Sequence, residues 1–390
     1  MASSHIPNLN TLRNPNRPGR APDRRRGNSG NASCSSVEDG RLAKDKIVQH
    51  TDQDASVSRL SAVEIGYLDD PFAKLFVSAG EQRRFPIINR GILLRLQLLI
   101  QHKSDRREGT YVRTTVIDNL VRRFLSDSAF TKKQIISLGA GSDTRFFRLT
   151  AQFAGQSLVY HELDFPVNTS AKISFIDRSR ALSDCIHGPL TVSSDGTALH
   201  SLNYHIHPFD LRTLHRPGSS PSDLPPPEIP YIDPSLPTLL ISECCLIYLA
   251  PAAADAVVNY FTKHLFAPST PLGVILYEPI NPSDAFGKVM VSNLAQRGIV
   301  LQTLRRYGSL EAQMERMRAH GFSGKGGADV KRLWETGVNE VEKERISCLE
   351  MMDEVEEWNL LASHYCVIWG WRGGEDKETW RLWDELPRQE

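Results

Sequence analysis

The chain has 390 residues, 40% hydrophobic and 24% charged, enough to bury one large domain or two small ones. Lys+Arg and Asp+Glu both total 46, so no overall basic field exists to hold nucleic acid by phosphate neutralisation. The cysteines at 34, 185, 244, 245, 348 and 366 form no CxxC pair, which indicates neither a zinc site nor a disulfide framework and suits a reducing cytoplasm.

The first residues, Met-Ala-Ser-Ser-His-Ile-Pro, lack the apolar stretch of a secretory signal. No apolar run reaches the roughly 18 residues needed to span a bilayer, so no membrane association is expected. Residues 1–58 hold no aromatic side chain and are rich in Pro, Asn, Ser and Arg. Such a stretch buries too little surface to order itself, and a disordered tail is expected. Arg24-Arg25-Arg26 reads as a solvated basic run, with a nuclear-import patch as the alternative.

Helical periodicity begins at Ser58, and residues 59–125 are expected to form a helical cap. Near its end, Val112, Val116, Ile117, Leu120, Val121, Phe124 and Leu125 line one helix face. Arg113 lies at the start of that helix, where a guanidinium can hold a carboxylate through two hydrogen bonds. Taken alone, a solvated arginine is the plainer reading.

The apolar run Gln134–Leu138 predicts a buried strand, followed by the turn Gly139-Ala140-Gly141. Glycine lets the backbone approach a ligand closely, and Ser142-Asp143-Thr144 is placed to cap the next helix. The turn is not GxGxxG, because Thr144 stands at the third glycine's place. That glycine serves close helix packing beneath a pyrophosphate. Its absence favours S-adenosylmethionine, which has no pyrophosphate, over NAD.

A second strand over Leu158–Leu163 ends at Asp164, one βαβ step after the turn. A carboxylate there can accept hydrogen bonds from both ribose hydroxyls, and it can also cap the helix Phe165–Arg178. A third strand, Leu202–Pro208, leads to Phe209-Asp210-Leu211. In methyltransferase folds an acid here reaches the adenine amino group, and the next backbone N–H meets a ring nitrogen. A plain turn aspartate fits Asp210 equally well.

Arg216–Pro237 holds eight of the 23 prolines and reads as an exposed connection. The fourth strand, Thr238–Ser242, ends at Glu243. A carboxylate ending an apolar strand is costly unless paired. The sulfonium and ammonium of S-adenosylmethionine would supply the charge, so Glu243 reads as a ligand contact rather than a structural ion pair. Cys244-Cys245 read as reduced core residues. Beyond them the periodicity predicts a helix over Ala252–Leu265, a strand over Gly273–Tyr277 and a helix over Asp284–Arg297. An acidic helix near Val341–Leu361 and a strand over His364–Trp371 complete the pattern.

Strands alternating with helices predict an α/β, Rossmann-like class I methyltransferase fold. Its sheet is mostly parallel and seven-stranded, with helices on both faces and a helical N-terminal cap. The ligand of such a sheet lies at the carboxyl ends of the strands.

Together these segments resemble the leucine carboxyl methyltransferase family, also called protein phosphatase methyltransferases. The resemblance runs from about Ser58 to Trp371. It is carried by Ile65-Gly66-Tyr67, Asp70-Pro71-Phe72, Thr110-Tyr111-Val112-Arg113-Thr114, Leu138–Thr144 and Leu163-Asp164-Phe165-Pro166. Asp210-Leu211-Arg212, Ser242-Glu243-Cys244, Tyr277-Glu278-Pro279, Phe286-Gly287, Ser309-Leu310-Glu311 and His364-Tyr365-Cys366 continue it. It implies donor contacts at Arg113, Gly139, Asp164, Asp210, Leu211 and Glu243, with Arg59 aligning loosely. It implies methylation of the C-terminal leucine carboxylate of the type 2A protein phosphatase catalytic subunit, forming a methyl ester.

The sequence departs from the family's pattern at Ile92–Gly109, which separates Asn89-Arg90-Gly91 from the Tyr-x-Arg helix. This insertion is either a surface helix or translated intron sequence, and the duplicated look of Gly91 and Gly109 favours the second. A peptide α-carboxylate, with a pKa of roughly 3.5, is ionised at neutral pH, so neither a general base nor a metal is expected. Tyr248 is the candidate contact to the acceptor carboxylate, since a phenol can donate one hydrogen bond. A cytoplasmic monomer, with access to the nucleus, completes the expectation. The alternatives are a carboxyl or O-methyltransferase acting on a modified tRNA base or a small molecule, and a non-catalytic phosphatase-binding protein.

Overall fold

The computed structural model describes residues 35–78, 103–127, 130–153, 157–215, 227–349, 355–373, 380–384, 386 and 389. The chain divides into a unit of Met1–Ala43 and a unit of Lys44–Glu390, and the second holds the whole sheet.

Five strands form the parallel centre: β1 (Lys132–Leu138), β2 (Ser157–Asp164), β5 (Tyr204–Pro208), β6 (Thr238–Glu243) and β7 (Leu272–Pro279). The short strands β3 (Thr191–Val192) and β4 (Leu199–His200) pair antiparallel beside β5. At the other edge, β9 (Tyr365–Arg372) runs antiparallel to both β7 and β8 (Gly324–Asp329). The spatial order is β3-β4-β5-β2-β1-β6-β7-β9-β8. Without the β3–β4 hairpin this is the expected seven-stranded sheet, so nine strands replace seven. Strand order reverses at β1, which lies between β2 and β6, and that reversal opens the crevice for a ligand.

Alternation along the strands builds two apolar layers. Ile135, Tyr160, Leu239 and Ile275 join Val112, Ile117 and Phe124 of helix α2 (Lys103–Ser126) and Phe146 and Phe147 of helix α3 (Arg145–Gln152). Ile136, Leu163, Leu240 and Val274 face the opposite side, toward Ala254 and Val257 of a helix over Pro251–Asn259. A sheet buried on both faces explains why these strands read as continuous apolar runs.

Three expectations are corrected here. Residues 35–58, placed in a disordered tail, form most of helix α1 (Ser35–Ile65). Its described side chains anchor largely through polar contacts, which a count of aromatic residues does not register. The single acidic helix near Val341–Leu361 is two helices, Glu340–Ser347 and Val355–Ala362. The helix expected over Ala252–Leu265 passes into a wider π turn at Tyr260–Leu265. Residues 1–34, 79–102 and 216–226 lie outside the described residues, so most of the insertion and much of the proline-rich loop do too. The described part of the insertion, 103–109, opens α2, where buried Arg107 donates to Ser61 at 2.8 Å.

Candidate active site

The ends of β1, β2, β5 and β6 carry the predicted residues to one edge of the sheet. Leu138 aligns with Leu163 and with Ser242, and Asp164 aligns with Pro208. Gly139, Asp164, Asp210 and Glu243 therefore emerge side by side, each within two residues of that line.

The turn after β1 needs its glycines. Gly139 has φ +65 and Gly141 φ +46. A Cβ on Gly139 would lie 2.6 Å from Cys245 Sγ. Cys245 thus sits beside the turn; both cysteines are free and half-buried, Cys244 packed against one apolar layer and Cys245 against the other. The cap expected from Ser142-Asp143-Thr144 is supplied by Asp143 and not by Thr144. Thr144 occupies the N-cap of α3 without a side-chain cap bond, and its hydroxyl instead donates to Asp70. Asp143 takes up the slack, with Oδ1 accepting from the Arg145 N–H at 3.0 Å.

Asp164 accepts from the backbone N–H of Gly141 at 2.7 Å and of Phe165 at 2.6 Å, and from the Asn168 amide at 2.9 Å. Burial pushes its pKa up to about 6; these three bonds oppose the shift and the charge of Asp52 adds to it. Asp210 accepts from the backbone N–H of Arg212 at 3.0 Å and caps the short turn Leu211–Leu214. The turn role is therefore real for Asp210, and the Arg212 guanidinium also grips it, at 2.7 Å, and Asp45 of α1. The Leu211 side chain packs into the apolar layer that holds Ile136, Leu163 and Leu240.

Glu243 is held by Arg113 Nε at 2.6 Å and Arg145 at 2.9 Å. Burial alone would raise its pKa, but the two guanidinium groups outweigh burial and hold it down to about 2. The sequence reading set ligand contact against structural ion pair, and the structure shows the ion pair. Arg113 also lies 4.7 Å from the centre of the Tyr277 ring, which fixes its side chain at the cleft. Tyr248 sits half-buried on the turn Leu246–Tyr248. Burial raises its pKa far above the ordinary value, so the phenol keeps its proton; Thr51 of α1 bonds it.

Sequence reasoning missed the scaffold beneath this edge. Fully buried Arg145 pairs with Asp118 at 2.8 Å, with Asp143 at 2.5 Å and with Glu243. Arg148 pairs with Asp118 and lies 3.5 Å from Asp70, which Arg59 reaches at 3.3 Å. Arg113 and Asp118 share α2, so one helix addresses Glu243 and locks α3 together. The spacing Arg145–Arg148 directly after the turn was the available signal, since two arginines on an apolar helix require acids nearby.

The fit to S-adenosylmethionine rests on this chain's own geometry. The turn leaves no room for a Cβ, carboxylates follow β2 and β5 on one side of β1 and β6 on the other, and a partly exposed guanidinium lies beside them. Among the described residues, no group of three or more His, Cys, Asp or Glu is placed to hold a metal ion. No described helix is long and apolar enough to cross a membrane. Fold and site together define an S-adenosylmethionine-dependent methyltransferase of the class I type.

Residues 47–262 match the family described as Leucine carboxyl methyltransferase. Proteins named Leucine carboxyl methyltransferase 1 from Aspergillus fumigatus and Emericella nidulans are 52% and 51% identical, over 100% of this chain and 99% of their own length. The protein of that name from Schizosaccharomyces pombe is 38% identical over 87% of this chain and 96% of its own. The chain belongs to the leucine carboxyl methyltransferase family, and its reaction is the methylation of a carboxyl group.

Proposed function

We propose that this enzyme methylates the α-carboxylate of the C-terminal leucine of the type 2A protein phosphatase catalytic subunit, giving a methyl ester. The observation that carries the reading is the full-length match to the named relatives, coupled to an intact row of Gly139, Asp164, Asp210 and Glu243 at the sheet edge. Arg113, Gly139, Asp164, Asp210, Leu211 and Glu243 hold the donor, and Tyr248 meets the acceptor.

Bound at this edge, S-adenosylmethionine supplies a methyl group on a positively charged sulfur. The protein's task is to hold the acceptor carboxylate in line with that methyl and to keep water away. Orientation of this kind supplies on the order of 7–11 kcal/mol in favourable systems. No residue need remove a proton, because the carboxylate is already ionised at neutral pH. Asp164 accepts from the ribose hydroxyls in its ionised form, and the protonated phenol of Tyr248 donates to the acceptor.

Incubation with labelled donor tests the acceptor. The phosphatase catalytic subunit takes up label when its terminal leucine is present and takes up none when that leucine is removed. Equal labelling of both forms would reject the leucine carboxylate as acceptor.

A further inference from the structure

The donor contacts named so far come from the sheet edge and α2, but α1 also reaches the glycine turn. Asp52 Oδ1 accepts from the Ser142 backbone N–H at 2.7 Å and from the Ser142 hydroxyl at 2.8 Å. A Cβ on Gly141 would lie 2.2 Å from the same oxygen, so the helix is seated against the turn as closely as glycine allows. The preceding amide, Gly141 N–H, donates to Asp164. Two carboxylates thus occupy consecutive amides of one turn.

These two acids differ from Glu243. Arg113 and Arg145 neutralise Glu243, whereas neither Asp52 nor Asp164 has an ion-pair partner within 4.0 Å among the described residues. Lys172 bears on Asp52 only at longer range. Burial raises the pKa of both, and the charge of Asp52 contributes to the rise at Asp164. The cleft therefore carries uncompensated negative potential beside the turn, and a cation relieves it.

We propose that Asp52 is a specificity-determining residue of the donor site, whose charge favours the sulfonium donor over the demethylated product. The inference rests on S-adenosylmethionine being the donor. Donor and product share the same ribose, adenine, ammonium and carboxylate. They differ by one methyl and one positive charge, because the electron pair of the broken C–S bond stays on sulfur when the methyl bonds to the acceptor oxygen. A single methyl gives weak discrimination by packing. A charge in a cleft shielded from water gives more, since Coulomb energy rises as the effective dielectric falls. The field that draws in the donor thus weakens its hold on the product as the methyl leaves. Placing this acid on α1 ties the preference to helix seating, which Asp45–Arg212 at 2.7 Å and Asp54–Arg297 at 2.5 Å also support.

Calorimetric titration of the full-length chain with S-adenosylmethionine and with S-adenosylhomocysteine tests this. Asp52→Asn keeps a side-chain acceptor for Ser142 and removes the charge. Donor affinity is expected to fall about three- to tenfold while product affinity changes less than about twofold. Asp54→Asn on the same helix, whose pair with Arg297 is exposed, is expected to leave the ratio of the two affinities unchanged. An equal loss of both ligands in Asp52→Asn, or no loss of either, would overturn the proposal. A ratio shifted equally by Asp54→Asn would overturn it too, because the effect would then belong to the helix and not to Asp52. If the wild-type chain bound neither ligand, the donor assignment itself would fall, and the proposal with it.

Discussion

At the scale of single residues, the site works by deciding which charges are cancelled and which remain. Glu243 is cancelled twice over, so its pairing with Arg113 positions that guanidinium rather than stabilising the chain. Arg113 remains partly exposed at 28%, free to turn a face toward a carboxylate. Arg113→Ala should weaken donor binding roughly tenfold to a hundredfold, the range for a charged hydrogen bond, with little change in melting temperature because Arg145 still holds Glu243. Unchanged affinity by calorimetry would remove Arg113 from the site. Asp164 makes a second prediction. Its pKa is raised to about 6, so it is protonated below that pH and ionised above it. A protonated acid cannot accept both ribose hydroxyls, so donor affinity should fall as pH drops below about 6 and level off above it. In the donor-free protein the same shift has the opposite sign for stability: the contribution is greatest at low pH and is lost as pH rises through 6. Asp164→Asn should bind weakly and flatten the binding profile; a flat wild-type profile between pH 5 and 8 would contradict the assigned role.

At the scale of elements, the parallel strands were legible because burial on both faces forces an unbroken apolar run. Gln134–Leu138, Leu158–Leu163 and Thr238–Ser242 lie within observed strands extended by one or two residues. Strand β8 was not legible, because Gly324-Lys325-Gly326-Gly327 has no strand-forming side chains. The fold supplies the reason for those glycines. Trp371 fills the place of a Cβ on Gly324, which would lie 2.0 Å from its ring, and Trp369 fills that of Gly326 at 2.5 Å. The indole rings of β9 cover the backbone of β8, so the strand is specified by its neighbour's residues. Gly326→Ala should therefore destabilise the protein by about 1–3 kcal/mol, the usual cost of overpacking, measured by urea unfolding. Wild-type stability in that variant would show that the rings move aside freely. Helix α1 escaped notice for a related reason. Asp45, Asp52 and Asp54 find partners in Arg212, Ser142 and Arg297, and none of these pairings leaves a periodic apolar signature.

At the scale of the whole molecule, a chain with zero net charge directs its chemistry through local fields set at one sheet edge. In the proposed function the donor contacts come from four strand ends and the guanidinium from α2, while Asp52 of α1 reaches the glycine turn. The turn and the three acids were readable one strand at a time. The buried network of Arg145, Arg148, Asp118 and Asp70 that aligns them depends on contacts between distant segments; the spacing Arg145–Arg148 signals that acids are needed but not which ones. The central claim is that the methyl group ends on a carboxylate oxygen as an ester. Mild alkaline treatment of the labelled phosphatase tests this most directly, because carboxyl methyl esters hydrolyse to methanol whereas N-methyl groups and methyl ethers persist. The label is expected in the C-terminal peptide and is expected to be released as volatile methanol. Label that survives alkali, or that lies in any other peptide, would contradict it.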